Sequence, residues 1–221
     1  MTAWRQLVQI ARKDLRLEAR SGEALLVTTP FGAVALLFVP LAVGTDTPLL
    51  RGIGPGLYWV VVLLFGLLVT LRTSAVDTPA QIALLRLCGV HSVVRLAGRA
   101  AASALLLLAF ELLLVPVAVA LYDPAPHGWP WLLVVLPLVA AGLGLLGTLA
   151  GALAQGLDGR TTLGPVLVLP LAVPLLLGAT QAPAAAALGR APWPWLLLML
   201  TVDLIAVLAL LLGAPHLEEV A

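Results

Sequence analysis

Six long apolar stretches constrain this chain more than any other feature of its sequence. A helix that crosses a lipid bilayer needs about 20 mostly apolar residues. The stretches are 24–44, 56–71, 100–122, 131–154, 163–179 and 195–213, of which the second and fifth are short and the fourth is long. Because they take up more than half of the chain, no room is left for a large soluble domain. We therefore expect an all-α integral membrane protein with six transmembrane helices.

The composition excludes several other classes of protein. The chain is 62% hydrophobic and 10% charged, whereas soluble domains average about 45–50% apolar and about 25% charged residues. A disordered chain, a disulfide scaffold and a nucleic-acid binder are all excluded, since the net charge is +1 and Cys88 is the only cysteine. The only lysine, Lys13, lies outside any Gly-Lys-Ser/Thr motif. The sequence therefore has no Walker A motif, and ATP would have to be hydrolysed by a partner subunit.

The distribution of basic residues predicts how the chain is oriented. Ten of the 12 Lys and Arg residues lie in the N-terminal arm, after the second stretch and after the fourth stretch. Arg51 and Arg190 lie on the other side. Because cytoplasmic segments carry the excess of Lys and Arg, both termini are predicted to be cytoplasmic. The N-terminal arm lacks the cleavage site of a signal peptide.

Tyr and Trp residues mark the predicted outer ends of the stretches: Tyr58, Trp59, Tyr122, Trp129, Trp131, Trp193 and Trp195. A Trp-Pro-Trp triplet opens both the fourth and the sixth stretch. We favour an aromatic belt at the headgroup level. The alternative is an outer docking surface for an external partner or a flat aromatic ligand, formed by His127, Trp129, Trp131, Trp193 and Trp195. His127 could then ligate an iron porphyrin, although single surface histidines seldom do so.

Residues 2–20 have the pattern of an amphipathic helix that lies in the membrane interface. At 100° per residue, one stripe is apolar (Trp4, Leu7, Val8, Ala11, Leu15) and the adjacent one is basic (Arg5, Arg12, Lys13, Arg16, Arg20). We divide the chain into an elbow helix, 1–22, and a transmembrane domain, 23–221. The elbow is either a simple anchor or a lever on which a cytoplasmic partner pushes.

The longest cytoplasmic connection, 73–99, contains a short predicted helix. Asp77 or Thr78 can cap it, Pro79 fits its first turn, and Gly89 can end it. Such a helix below the membrane suits an ATPase subunit, and the predicted contact residues are Asp77, Thr78, Gln81, Leu84, Leu85, Arg86 and Leu87. The alternative is that the helix packs under the bundle, and Cys88 is expected to be a small packed residue.

Two acidic residues lie near the middle of predicted spans, Glu111 in the third and Asp203 in the sixth. A charged acid at the bilayer centre costs about 3 kcal/mol or more, so each must be protonated, paired or next to a wet cavity. We favour neutral packing roles over a role in lining a conformational pathway. No catalytic triad or metal-ligand cluster is recognisable, so no catalytic or metal residue is assigned.

Small residues and prolines distinguish the fourth and fifth stretches. The fourth is rich in glycine and alanine, and Gly147 and Gly151 have the spacing that allows close helix packing. In the fifth, Pro170 and Pro174 are four residues apart, which removes two backbone hydrogen bonds and predicts a kinked helix.

Four stretches together resemble one known family. They are VLVLPLAVPLLLGAT (166–180), IGPGLYWVVVLLFGLL (53–68), FVPLAVG (38–44) and GLLGTLAGALAQG (144–156). Their order and spacing, over essentially the whole chain, are similar to the cytochrome c maturation protein B family, also called heme exporter protein B (CcmB). The resemblance implies six transmembrane helices, an N-terminal elbow helix and a cytoplasmic coupling helix, as in ABC-2 or type V exporters.

The resemblance also implies a function and a set of partners. These are a permease role in an ABC complex of the bacterial inner membrane, with an ATPase subunit (CcmA), a heme-handling membrane subunit (CcmC), a small membrane subunit (CcmD) and a periplasmic heme chaperone (CcmE). ATP would be bound by the ATPase, heme would be the possible cargo, and this chain would hold no cofactor. Two copies per complex are expected.

The chain departs from this family in one region, and two other functions are alternatives. Family members commonly carry acidic residues after the second span, where this chain has only Asp77. An ABC-2-type exporter of a lipid or a drug would share the same layout. A membrane enzyme is disfavoured, because Glu111 and Asp203 lie on distant spans.

Overall fold

The structure is a computed structural model that describes residues 2–44, 46–74, 81, 84–85, 87–123, 128–156 and 163–219. Seven long helices account for most of these residues, and no strand occurs among them. The helices are α1 (Ala3–Ser21), α2 (Glu23–Val43), α3 (Thr47–Ser74), α4 (Ser92–Tyr122), α5 (Trp129–Gly156), α6 (Leu163–Ala187) and α7 (Trp193–Glu219). Helices α2 to α7 are long and apolar enough to cross a membrane, which confirms the predicted all-α, six-span class.

The two stretches that are short in the sequence, the second and the fifth, lie in longer helices. Helix α3 begins at Thr47, well before residue 56, and α6 continues past residue 179 to Ala187. Gly52, Gly54 and Pro55 favour a helix end in water, and so does Pro183 in α6. In an apolar medium every backbone polar group needs a partner within the protein, and the helical conformation provides one. Both helices are therefore long enough to span.

Helix α5 is the centre of the bundle and packs against α3, α4, α6 and α7. Its glycines allow this close packing. A Cβ atom on Gly144 would lie 2.9 Å from the backbone nitrogen of Ala104 in α4, and a Cβ atom on Gly147 would overlap Thr70 of α3. The close helix packing predicted for this stretch is confirmed at Gly147, and Gly144 packs closely as well.

The two ends of the bundle differ in composition. At one end, which we call the basic end, α1 packs against the start of α4: a Cβ atom on Gly98 would lie 3.0 Å from Ile10. At the other, which we call the aromatic end, the starts of α5 and α7 meet through Trp131 and Trp193. The short turn between α6 and α7 lies at this aromatic end, with Leu188 on its surface.

Two buried tyrosines connect helices through backbone carbonyl groups. The Tyr122 hydroxyl donates a hydrogen bond to the carbonyl oxygen of Leu36 in α2, at 2.6 Å. Pro40 has no N–H, so this carbonyl lacks its usual helical partner four residues later. The Tyr58 hydroxyl of α3 donates to the carbonyl oxygen of Glu111 in α4, at 2.9 Å. The two bonds attach α4 to both α2 and α3.

The predicted belt of aromatic residues is wrong for three of its members. Tyr58, Trp59 and Tyr122 are buried inside the protein rather than facing the headgroups. Tyr58 and Tyr122 hold the hydrogen bonds described above, and the ring of Tyr122 lies against Gly54. A tyrosine can place its ring in the core because its hydroxyl finds an acceptor there.

Candidate functional site

The short helix between α3 and α4 ends as its sequence predicts. Leu84, Leu85 and Leu87 are helical, and Gly89 takes the left-handed conformation with φ of 74°. The Val90 N–H donates to the carbonyl of Leu85 at 3.0 Å, which is the Schellman pattern. Asp77, Thr78 and Arg86, which were also predicted to contact an ATPase, lie outside the described residues.

The side chains of this helix present an apolar surface. Leu84 is 63% exposed and Leu87 is 88% exposed. Residues three apart lie on the same face of a helix, so the two leucines form one patch, which we call the leucine patch. Leu85, on the side of the bundle, is half-buried, and Gln81 is exposed. The leucine patch does not pack under the bundle.

Cys88 lies next to the leucine patch and is exposed. The expectation of a small packed residue is therefore wrong. The Gly89 turn that ends the helix leaves this side chain on the outside, so its apolar character is not used for packing against the bundle.

Helix α1 packs against the start of α4, the helix that follows the leucine patch in the sequence. Its buried residues are Ile10 and Ala11, and the Leu7 carbonyl also approaches Gly98 of α4. The basic side chains on its other side are exposed: Arg5, Arg12, Lys13, Arg16 and Arg20. Lys13 forms an ion pair with Asp14 at 3.1 Å. The basic stripe thus faces away from the bundle, where it suits anionic headgroups or a partner.

One residue of the predicted apolar stripe of α1 departs from the expectation. Trp4 is 71% exposed, whereas Ile10, which was outside the predicted stripe, is buried. The contact with Gly98 rotates the buried face of α1 toward Ile10, because only a residue without a side chain lets the α1 backbone come this close. Trp4 is left facing away from the bundle.

At the aromatic end, the structure brings together the two Trp-Pro-Trp triplets. The rings of Trp131 and Trp193 form an edge-to-face pair with centroids 5.4 Å apart and an interplanar angle of 87°. Trp129 and Trp193 are exposed, while Trp131 and Trp195 pack partly against the core. His127 lies outside the described residues. An exposed aromatic cluster of this kind fits both the belt and the docking surface.

The two intramembrane acids lie at different helix interfaces. Glu111 is on α4, which faces Tyr58 of α3, and its side chain is completely buried with neither carboxyl oxygen hydrogen-bonded. Asp203 of α7 is also buried, and it lies against Gly142 of α5 and near Leu175 of α6. Oδ1 of Asp203 has no hydrogen-bond partner either.

Helix α6 runs without interruption through its internal prolines. Pro170 is exposed and Pro174 is half-buried, on a helix that continues from Leu163 to Ala187. The prolines therefore do not break the helix, and the predicted bend stays a prediction.

Within the described ranges, no group of three or more His, Cys, Asp or Glu residues could hold a metal ion. The candidate functional surfaces are the leucine patch, the basic face of α1 and the aromatic end.

Comparison with known proteins identifies one family whose model covers nearly the whole chain. The family model described as CcmB protein matches residues 5–218. The chain belongs to the CcmB family. Heme exporter protein B of Paracoccus denitrificans is 33% identical to this CcmB family member over 200 residues, which cover 90% of this chain and 91% of that protein.

Two further relatives carry the same name. Heme exporter protein B of Rhodobacter capsulatus is 34% identical over 171 residues, covering 75% of this chain and 76% of that protein. Heme exporter protein B of Haemophilus influenzae is 29% identical over 182 residues, covering 82% of each chain. The resemblance identified from the four sequence stretches is thus confirmed.

Proposed function

We propose that this protein is the permease subunit of an ABC complex for heme transport in cytochrome c maturation. Its membership of the CcmB family supports this function, and so do its relatives, which are named heme exporter protein B. ATP is hydrolysed by a separate subunit, in agreement with the lack of a Walker A motif in the sequence. This chain holds no cofactor of its own, and heme is the cargo whose delivery, or release on its chaperone, is driven by ATP.

The single observation that carries the coupling role is the exposed leucine patch. Leaving Leu84 and Leu87 in water is unfavourable, because burying a leucine side chain gains about 1.5–3 kcal/mol. A protein surface that covers both side chains removes this cost. The patch lies directly between α3 and α4, so a subunit bound there is attached to two helices of the central bundle.

The expected arrangement has both termini and the leucine patch on the cytoplasmic side of the inner membrane. The basic face of α1 supports this orientation, since Arg12, Lys13 and Arg16 suit the anionic cytoplasmic leaflet. The partners would be the ATPase CcmA at the leucine patch and the membrane subunits CcmC and CcmD. The chaperone CcmE would bind at the aromatic end, where Trp129 and Trp193 are exposed. Two copies of this chain would serve two ATPase subunits.

The alternative exporter, with a lipid or a drug as cargo, is now disfavoured. It shares the six-span layout and the coupling helix, and the fold alone does not distinguish the two. The relatives named above favour heme. Genes for cytochrome c maturation next to the gene for this chain would support heme further, and genes for lipid or drug export would support the alternative.

Co-isolation with the ATPase subunit tests the proposal. Leu87→Asp places a charge in the contact and should lower the recovery of the ATPase by about tenfold or more, as expected for an interface residue worth about 1.4 kcal/mol or more. Leu188→Asp is the matched control, because Leu188 is 70% exposed but lies at the aromatic end. Equal recovery with the wild type and with Leu87→Asp would overturn the coupling role of the patch.

A further inference from the structure

Glu111 and Asp203 are buried acids that the proposed coupling role does not use, and Glu111 is the more deeply buried of the two. Its side chain has no exposed surface, and neither Oε1 nor Oε2 has a hydrogen-bond partner. The hydroxyl group of Tyr58, on the facing helix α3, donates to the backbone carbonyl of Glu111 rather than to its carboxyl group. A carboxyl group inside a membrane is either ionised and paired, ionised and hydrated, or neutral.

The charges around Glu111 exclude an ion pair in the described residues. Helices α2 and α5, which pack against α4, carry no Lys, Arg or His in their apolar parts. On α3 the facing titratable group is Tyr58, and the acid Asp203 of α7 lies at a different interface, against Gly142 of α5. Arg99 is on the same helix as Glu111, but it lies about 18 Å away along the axis at 1.5 Å per residue. Complete burial of the side chain also disfavours a hydrated, ionised carboxylate.

We infer that Glu111 is a proton-binding site of the membrane interior, which holds its proton while α3 and α4 are closed and releases it to water when they separate. The closed state is the one described here, with the Tyr58 hydrogen bond joining the two helices. The same two helices are connected by the segment that carries the leucine patch. A force applied to Leu84 and Leu87 therefore acts on the interface that buries Glu111. This second step rests on the proposed function, whereas the protonation of the closed state does not.

Infrared difference spectroscopy tests the first step on the full chain in lipid nanodiscs. When the spectrum of Glu111→Gln is subtracted from that of the wild type, the carbonyl stretch of a protonated carboxyl group should remain. Asp203→Asn is the matched control, and the Glu111 band should persist in this variant. If Glu111→Gln lost the bands of an ionised carboxylate instead of the band of a protonated carboxyl group, the inference would be overturned.

Chemical labelling of the wild type gives a second test that needs no variant to fold. A water-soluble carbodiimide adds to carboxyl groups that meet water. Mass spectrometry should find the water-soluble reagent on Asp123, which is exposed at the end of α4, and should not find it on Glu111, whose side chain is completely buried. Labelling of Glu111 by this reagent would contradict the inference.

The assembled complex tests the second step. With the ATPase trapped in its nucleotide-bound state, the protonated band of Glu111 should decrease, and the water-soluble reagent should reach this residue. A band that stays the same in both nucleotide states would refute the release of the proton. Failure of the ATPase to bind would instead refute the proposed coupling and leave the resting-state band unchanged.

Discussion

The hydrogen bond from Tyr122 to Leu36 allows the contribution of the Tyr122 hydroxyl group to be measured separately from that of its ring. Tyr122→Phe removes only the hydroxyl group and keeps the ring that packs against Gly54. The Leu36 carbonyl then has no partner, because Pro40 supplies no N–H. Buried unsatisfied groups cost about 1–3 kcal/mol in water-soluble proteins, and hydrogen bonds between membrane helices average about 0.6 kcal/mol, with a maximum near 1.7. We expect a loss of about 1 kcal/mol in the free energy of unfolding.

A double-mutant cycle tests the reason for this loss. Pro40→Ala restores an N–H that can donate to the Leu36 carbonyl within α2. In this background, Tyr122→Phe should cost less than half as much as in the wild type. Tyr58→Phe is the matched control, because the carbonyl of Glu111 keeps a possible helical donor at Val115, and it should cost less than Tyr122→Phe.

Reversible unfolding of the protein in mixed detergent micelles measures the four free energies of unfolding in the cycle. The reasoning is refuted if Tyr122→Phe costs the same with Pro40 and with Ala at position 40. In that case the hydroxyl would stabilise the fold independently of the missing N–H.

Three other changes follow from the packing, the surface and the coupling contact. Gly144→Ala should destabilise the protein by about 1–3 kcal/mol, because its Cβ atom meets the backbone of α4. Gly56→Ala, in open space, should not lower the thermal unfolding midpoint. Arg51→Ala should change the free energy of unfolding by no more than about 0.5 kcal/mol, because its ion pair with Asp123 is exposed; a larger loss in chemical unfolding would contradict this. Leu87→Asp should leave the midpoint unchanged while ATPase recovery falls, and a lower midpoint would assign the leucine to folding.

The sequence predicts much of the architecture, because apolar length and charge are local signals. The six spans, the amphipathic α1 and the turn at Gly89 need no knowledge of neighbouring helices. The ends of α3 and α6 were predicted less well. Gly54 and Pro183 are poor helix residues in water, but within an apolar bundle the backbone gains by staying helical.

The positions of the buried tyrosines depend on contacts between distant residues. Tyr58 and Tyr122 lie at span ends, where a belt is the ordinary expectation, and nothing local shows that their hydroxyl groups find carbonyl acceptors on other helices. One signal was available: Pro40 leaves the Leu36 carbonyl without a donor, which predicts that some side chain replaces it. The sequence does not say which one.

The exposure of the candidate site was also only partly predictable. The sequence places apolar residues in the connection between α3 and α4. Leucine is expected there whether the helix packs under the bundle or binds a partner, so the residue type does not distinguish the two roles. The structure distinguishes the two at Leu84 and Leu87, which face outward. For Trp4 and Ile10, the outcome was decided by Gly98 on a different helix.

The permease role in cytochrome c maturation is tested by measuring c-type cytochromes in a bacterium that lacks this protein. The account predicts that holocytochrome c, measured by heme staining and difference spectra, is lost on deletion and restored by the wild type and by Leu188→Asp. Leu87→Asp, present at the same level in the membrane, should not restore it. Normal holocytochrome c in the deletion strain would contradict the proposed function.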